Sequence, residues 1–174
     1  HWKRANLANG GPAWKSFSTP TRGNPMNSRQ RVLAAIAHSE PEGIPVDLGA
    51  TPSSCISAIA YDNLLQVLPL KDRRIWVYDV VQQVAQPSAE MLSYFHIDAV
   101  DLGRTFNIKD SDWYDYTLLN EGFAQQPVWF RPRLQSDGSS LAYIGDEPIA
   151  VKPTSAFSYD QIVFPFLDGY PAHY

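Results

Sequence analysis

The sequence predicts an α/β chain in which βα units with parallel strands are followed by a small antiparallel meander. Three observations predict it. Residues 26–51 read as helix, tight turn and short buried strand. The tetrapeptide Val-Asp-Leu-Gly occurs twice, at 46–49 and 100–103, each time at the end of an extended run. Three short apolar runs between 128 and 151 are separated by Ser136-Asp137-Gly138-Ser139 and Gly145-Asp146-Glu147, both of turn composition.

The first helix follows from Ser28, an N-capping residue type, and from Val32, Leu33, Ile36 and Ala37, which form one apolar stripe. Pro41 and Gly43 stop it, with His38 positioned to cap its end. Pro45-Val46-Asp47-Leu48-Gly49 is then a strand running into Thr51-Pro52-Ser53-Ser54, a helix start. From Ser53 to about Val67, Ile56, Ile59, Ala60 and Leu64 share a face suited to packing on a sheet, and Pro69 ends the helix. Lys71-Asp72-Arg73-Arg74 is a solvated turn. Residues 75–84 read either way: β-branched composition favours a strand, whereas Val77, Val80, Val81 and Val84 have helical spacing. An extended start to Tyr78 and a short helix capped by Asp79 is expected. Pro87-Ser88 opens a helix from Ala89 to Phe95, and 97–104 is the second parallel strand. Pro132 and Pro148 suit the edges of the meander.

The segment SRQRVLAAIAHSEPEGIPVDLGAT, together with IWVYDVVQQVAQPSAEMLSYFHIDAVDLGR, resembles the uroporphyrinogen decarboxylase superfamily over residues 28 to about 170. That superfamily comprises tetrapyrrole decarboxylases and methyltransferases that use corrinoid cofactors. The resemblance implies a (β/α)8 barrel. Such a barrel typically takes about 250 residues, so 174 residues would form an incomplete, N-terminal part of one, with the meander (about 127–152) inserted at its open face. The apolar, uncapped end at Phe164 to Tyr174 agrees with truncation, and such a fragment is expected to be unstable or inactive by itself. Residues 1–25 contain Gly10-Gly11-Pro12, Pro20 and Gly23-Asn24-Pro25 and read as a disordered leader before a domain at 26–174.

Ligands of α/β folds meet the carboxyl ends of parallel strands, which makes Asp47, Thr51 and Ser53 a first candidate site wall. The plain alternative is that Asp47 and Ser53 cap a turn. Asp79 could reach the pocket mouth or serve a helix start. Arg104 follows a strand end and is either an anion contact or the ion-pair partner of Asp101 or Asp98. By the resemblance, Asp101 is the nearest equivalent of a catalytic carboxylate. The decarboxylases hold substrate carboxylates with arginines in Met-Arg-Gln-Ala-Gly-Arg just after strand one, where this chain has Leu48-Gly49-Ala50-Thr51-Pro52-Ser53. Their second-strand Phe-Ser-Asp-Ile is here Leu102-Gly103-Arg104-Thr105. Both departures favour the methyltransferase branch, which employs Zn or an acidic pocket beside a corrinoid carried by a partner protein. The family's zinc ligands would lie beyond this chain, so no cofactor is expected on it by itself. His96 and Asp98 are a weak pair for a metal, and Cys55 reads as a small core residue.

Composition narrows the partners. The chain carries 14 basic and 18 acidic residues, net −4, and Lys3, Arg4, Lys15 and Arg22 fall in its first 25 residues, which contain no acid. The remainder is distinctly acidic, which argues against nucleic acid. No apolar run reaches the roughly 18 residues of a membrane span, and one cysteine suits a reducing, cytoplasmic setting. The expected partners are a small-molecule substrate (a tetrapyrrole or a methyl donor), a corrinoid protein, and a second copy or complementary half-barrel. The alternative function is a non-catalytic module binding such a partner through an exposed sheet edge.

Overall fold

The structure, a computed structural model, describes residues 25–102, 109–164 and 169. Among them are three α-helices and nine strands in two sheets. The alternating strand–helix pattern of a partial (β/α)8 barrel is therefore overturned. The physical reason lies in the connections. Most successive strands are joined by turns of a few residues, which permit antiparallel pairing and leave no length for a crossover helix.

Helix α1 (Ser28–Ile36) is capped by Asn27, not Ser28. The Asn27 side chain accepts from the Gln30 backbone N–H while the Gln30 side chain accepts from the Asn27 N–H. His38, at φ +54°, takes the left-handed position after the helix. The expected apolar stripe is not buried, and Ile36 is 68% exposed. The helix predicted from Ser53 starts later. Pro52–Ser54 is one 3-10 turn, β1 (Ile56–Ser57) follows, and α2 (Ala58–Val67) is capped by Ser57.

The ambiguous valine stretch is a hairpin and not strand plus helix. Strand β2 (Trp76–Asp79) turns back into β3 (Val84–Gln86), and Gln83 at φ +54° makes the reversal. Helix α3 (Ala89–Tyr94) is capped by Ser88 as expected, and the Ser88 N–H donates to the Tyr61 hydroxyl at 3.0 Å. The 97–104 run forms no extended strand among the described residues. It makes one parallel bridge, Asp47 to Ala99, with the Asp98 N–H donating to the Val46 carbonyl at 2.8 Å.

A second hairpin, β4 (Trp113–Thr117) and β5 (Phe123–Pro127), completes the first sheet in the order β1-β3-β2-β5-β4, with β2 and β5 parallel. Trp76 stacks on Trp113 at 5.4 Å and donates from Nε1 to the Gln125 side chain at 2.9 Å. The predicted meander is present as β6 (Arg133–Leu134), β7 (Ser140–Ile144) and β8 (Glu147–Lys152), extended by β9 (Asp160–Gln161).

The main core lies between α2, α3 and the first sheet, where Tyr61, Val77, Ala85 and Met91 are fully buried. Burying a side chain of the size of Met91 contributes about 2 kcal/mol. A second cluster, Val80, Phe130, Ala142, Ala150 and Tyr159, joins the β2–β3 turn to the second sheet, and the Tyr159 N–H donates to the Val81 carbonyl at 2.8 Å. Among the described residues no helix is long and apolar enough to cross a membrane.

Candidate functional site

The two recurring tetrapeptides do come together. The Asp47–Ala99 bridge sets 46–49 beside 98–101, and their ends flank a cleft of about 90 Å³ lined by Leu48, Gly49, Gln86, Pro87, Val100 and Asp101. The segment after Asp47 turns sharply because its carboxylate accepts the Ala50 N–H at 2.9 Å. Gly49 sits at φ +94°, and its N–H donates to the Ser54 carbonyl at 3.1 Å. A Cβ there would lie 3.0 Å from Pro87 Cγ and 3.2 Å from Cys55 Sγ. Only glycine satisfies both the left-handed backbone and the close approach. On the same side, Cys55 Sγ lies 3.1 Å from the Tyr78 hydroxyl and 3.7 Å from the Ala85 carbonyl.

Beneath the cleft an ion pair fixes the two segments. Arg31 donates to Asp98 Oδ1 from Nε at 3.1 Å and from a terminal nitrogen at 2.5 Å. Asp98 Oδ2 accepts the Val46 N–H at 3.0 Å. The Asp98 side chain is 2% exposed. The Arg31 hydrogen bond, followed by that of Val46, holds its carboxyl at about 2.

The structure sorts the predicted residues into four groups. Asp101 lines the cleft. Asp47 and Thr51 flank it but are spent on the backbone: Asp47 holds the turn, and Thr51 forms a capping box with Ser54. Ser53 is exposed on the 3-10 turn, and the box uses the next residue. Asp79 belongs to the other turn, where it accepts from Val81 N at 3.0 Å and Gln82 N at 2.8 Å. Arg104 lies outside the described residues. The metal pair does not form, because Asp98 is held by Arg31 and His96 is exposed. Among the described residues no three His, Cys, Asp or Glu side chains converge on one point.

Sequence reasoning missed the place of Gln86 and Pro87 in the cleft and the Cys55–Tyr78 contact, which follow from the β2–β3 hairpin, whose return it read as a short helix from Asp79. It also missed the Arg31–Asp98 pair. Its two members lie 67 residues apart, beyond the reach of a local signal. In chemical terms the cleft offers the Asp101 carboxylate and the Gln86 amide beside Leu48, Gly49, Pro87 and Val100, near a thiol–phenol contact. About 90 Å³ holds roughly three waters, so it admits a small group or the edge of a larger ligand. No family model, no curated protein and no solved structure matches the chain.

Proposed function

We propose that the chain takes part in corrinoid-dependent methyl transfer, as a member of the uroporphyrinogen decarboxylase superfamily, with the Gly49–Asp101 cleft receiving a small methyl donor. The observation that carries this reading is the size of the cleft. A volume of about 90 Å³ suits a methoxy or methylamine group and is too small for a tetrapyrrole. The missing arginines after Asp47 point the same way, since a tetrapyrrole's carboxylates would find no bidentate partner there.

A corrin ring does not fit inside the cleft either. It would lie across the mouth, where Val100 is 56% and Leu102 is 89% exposed and could cover its apolar face. When bound, a partner-borne corrinoid would supply the cobalt centre that accepts the methyl group. The residues of this chain hold the donor between Gly49, Pro87 and Val100. Asp101, at the cleft wall, would be the group that delivers a proton to the leaving oxygen as the carbon–oxygen bond breaks, so that the demethylated donor would depart as a neutral alcohol.

The test is binding of free hydroxocobalamin and of uroporphyrin to the purified chain, followed by their visible absorbance. Cobalamin binding that weakens at least about 10-fold in Leu102→Asp supports the reading. Tighter binding of uroporphyrin, or no response to cobalamin, would overturn it.

A further inference from the structure

A second cavity lies away from the Gly49–Asp101 cleft, between the β2–β3 turn and the second sheet. It measures about 400 Å³, within the range of small-molecule sites. Its floor is the second core cluster, where Phe130 and Tyr159 meet edge to face at 5.4 Å. Trp129, 59% exposed, and Tyr143 form its aromatic walls.

The rim carries a charge pattern that the apolar floor does not explain. The Arg131 guanidinium lies 3.6 Å from the centre of the Tyr114 ring, and its Nε donates to the Val128 carbonyl at 3.2 Å. Arg133 lies 4.2 Å over the Tyr143 ring. Among the described residues neither arginine has a carboxylate within ion-pair distance. Two guanidiniums are thus held over aromatic faces, and Arg131 commits only its Nε, to the Val128 carbonyl, while neither meets a carboxylate among the described residues. An arginine stacked in this way loses little further freedom when it grips a planar anion, because the rotamer is already fixed.

We infer that this cavity binds a small planar aromatic carboxylate, its ring on the apolar floor of Phe130, Ala142 and Tyr159 beside Trp129, which packs edge to face on Phe130 at 6.0 Å, and its carboxylate on Arg131. The apolar volume recognises the ring and the stacked guanidinium recognises the charge. Neither feature by itself selects this ligand class.

The experiment titrates the chain with 2-naphthoate and with the neutral isostere 2-naphthamide, following tryptophan fluorescence. Naphthoate binds one to one and at least about 10-fold more tightly than naphthamide, with the difference shrinking as salt rises. Arg131→Gln, a substitution at an exposed side chain, lowers naphthoate affinity to that of naphthamide and leaves the circular dichroism spectrum unchanged. Ala142→Phe fills the floor and removes binding of both. Equal affinity for the acid and the amide, or no saturable binding by folded chain at millimolar naphthoate, overturns the inference. So does unchanged naphthoate binding in Arg131→Gln.

Discussion

Arg31 and Asp98, 67 residues apart in sequence, meet at 2.5 Å and tie helix α1 to the parallel Asp47–Ala99 bridge beside the cleft. The same guanidinium donates to the Met26 carbonyl at 2.5 Å and to Ser28 Oγ at 3.3 Å, so it also organises the start of the helix.

Losing Arg31 leaves the Asp98 carboxylate buried and uncompensated, and losing the Asp98 charge leaves the half-buried Arg31 guanidinium without its partner. Asp98→Asn and Arg31→Met should each lower the melting temperature by several degrees, and hydrogen exchange should show α1 opening first. The pH response has a defined sign. The Asp98 carboxyl is lowered from 3.8 to about 2, so the folded state binds its proton less readily than the unfolded chain. The stabilisation is complete above 3.8 and disappears as pH falls through about 2. Acid unfolding of Asp98→Asn should therefore be flatter across that window, and an unchanged acid limb would contradict the assignment.

A buried amide relay should prove cooperative. Tyr114 donates to Gln126 Oε1 at 2.9 Å, Gln126 Nε2 donates to Gln83 Oε1 at 3.1 Å, and Gln83 Nε2 donates to the Val80 carbonyl at 2.5 Å. Gln126 is wholly buried, and Gln83 nearly so. Removing either amide orphans the other, which costs about 1–3 kcal/mol. Denaturant unfolding of Gln83→Leu, Gln126→Leu and the double variant should give a double variant less destabilised than the sum of the two. Simple additivity would mean that the relay has no collective role.

Lys152 is expected to be a stability defect. Its side chain is buried, with the residue 7% exposed, and among the described residues its ammonium has only the Tyr159 ring, at 5.9 Å. Burial lowers its pKa from 10.5. The unfolded chain therefore holds this proton more tightly, and stability rises with pH between the lowered value and 10.5. Lys152→Met should raise the melting temperature at neutral pH by about 2–4 °C and remove that alkaline rise. A lower melting temperature in Lys152→Met would show that the ammonium has a stabilising partner.

Gly49→Ala tests the cleft wall. The new Cβ meets Pro87 at 3.0 Å on a backbone held at φ +94°. A loss of about 1–3 kcal/mol is expected, read from chemical denaturation. A neutral result would mean that the turn can relax without disturbing the cleft.

Local signals made part of this architecture legible. Ser88 and the helical spacing after it placed α3, and Ser-Asp-Gly-Ser and Gly-Asp turns between β-branched runs placed β7 and β8, because each of these depends on neighbours a few residues away. The 75–86 stretch was illegible for a physical reason. Its valines have helical spacing while its β-branched composition favours strand, and the hairpin prevails with Gln83 turned inward to meet Gln126, which is 43 residues distant. The site suffered in the same way: Asp101 was singled out through the family resemblance, whereas Gln86 and Pro87 join it only through that hairpin.

The sequence by itself determined the start of α3 at Ser88 and the turns of the meander, both carried by residue types with one strong local preference. The tertiary structure decided the rest: the two mainly antiparallel sheets in place of alternating βα units, and the assignment of Asp47, Thr51 and Asp79 to holding turns. Polar side chains serve either the backbone or a ligand, and which they serve depends on which N–H groups the folded chain leaves within their reach.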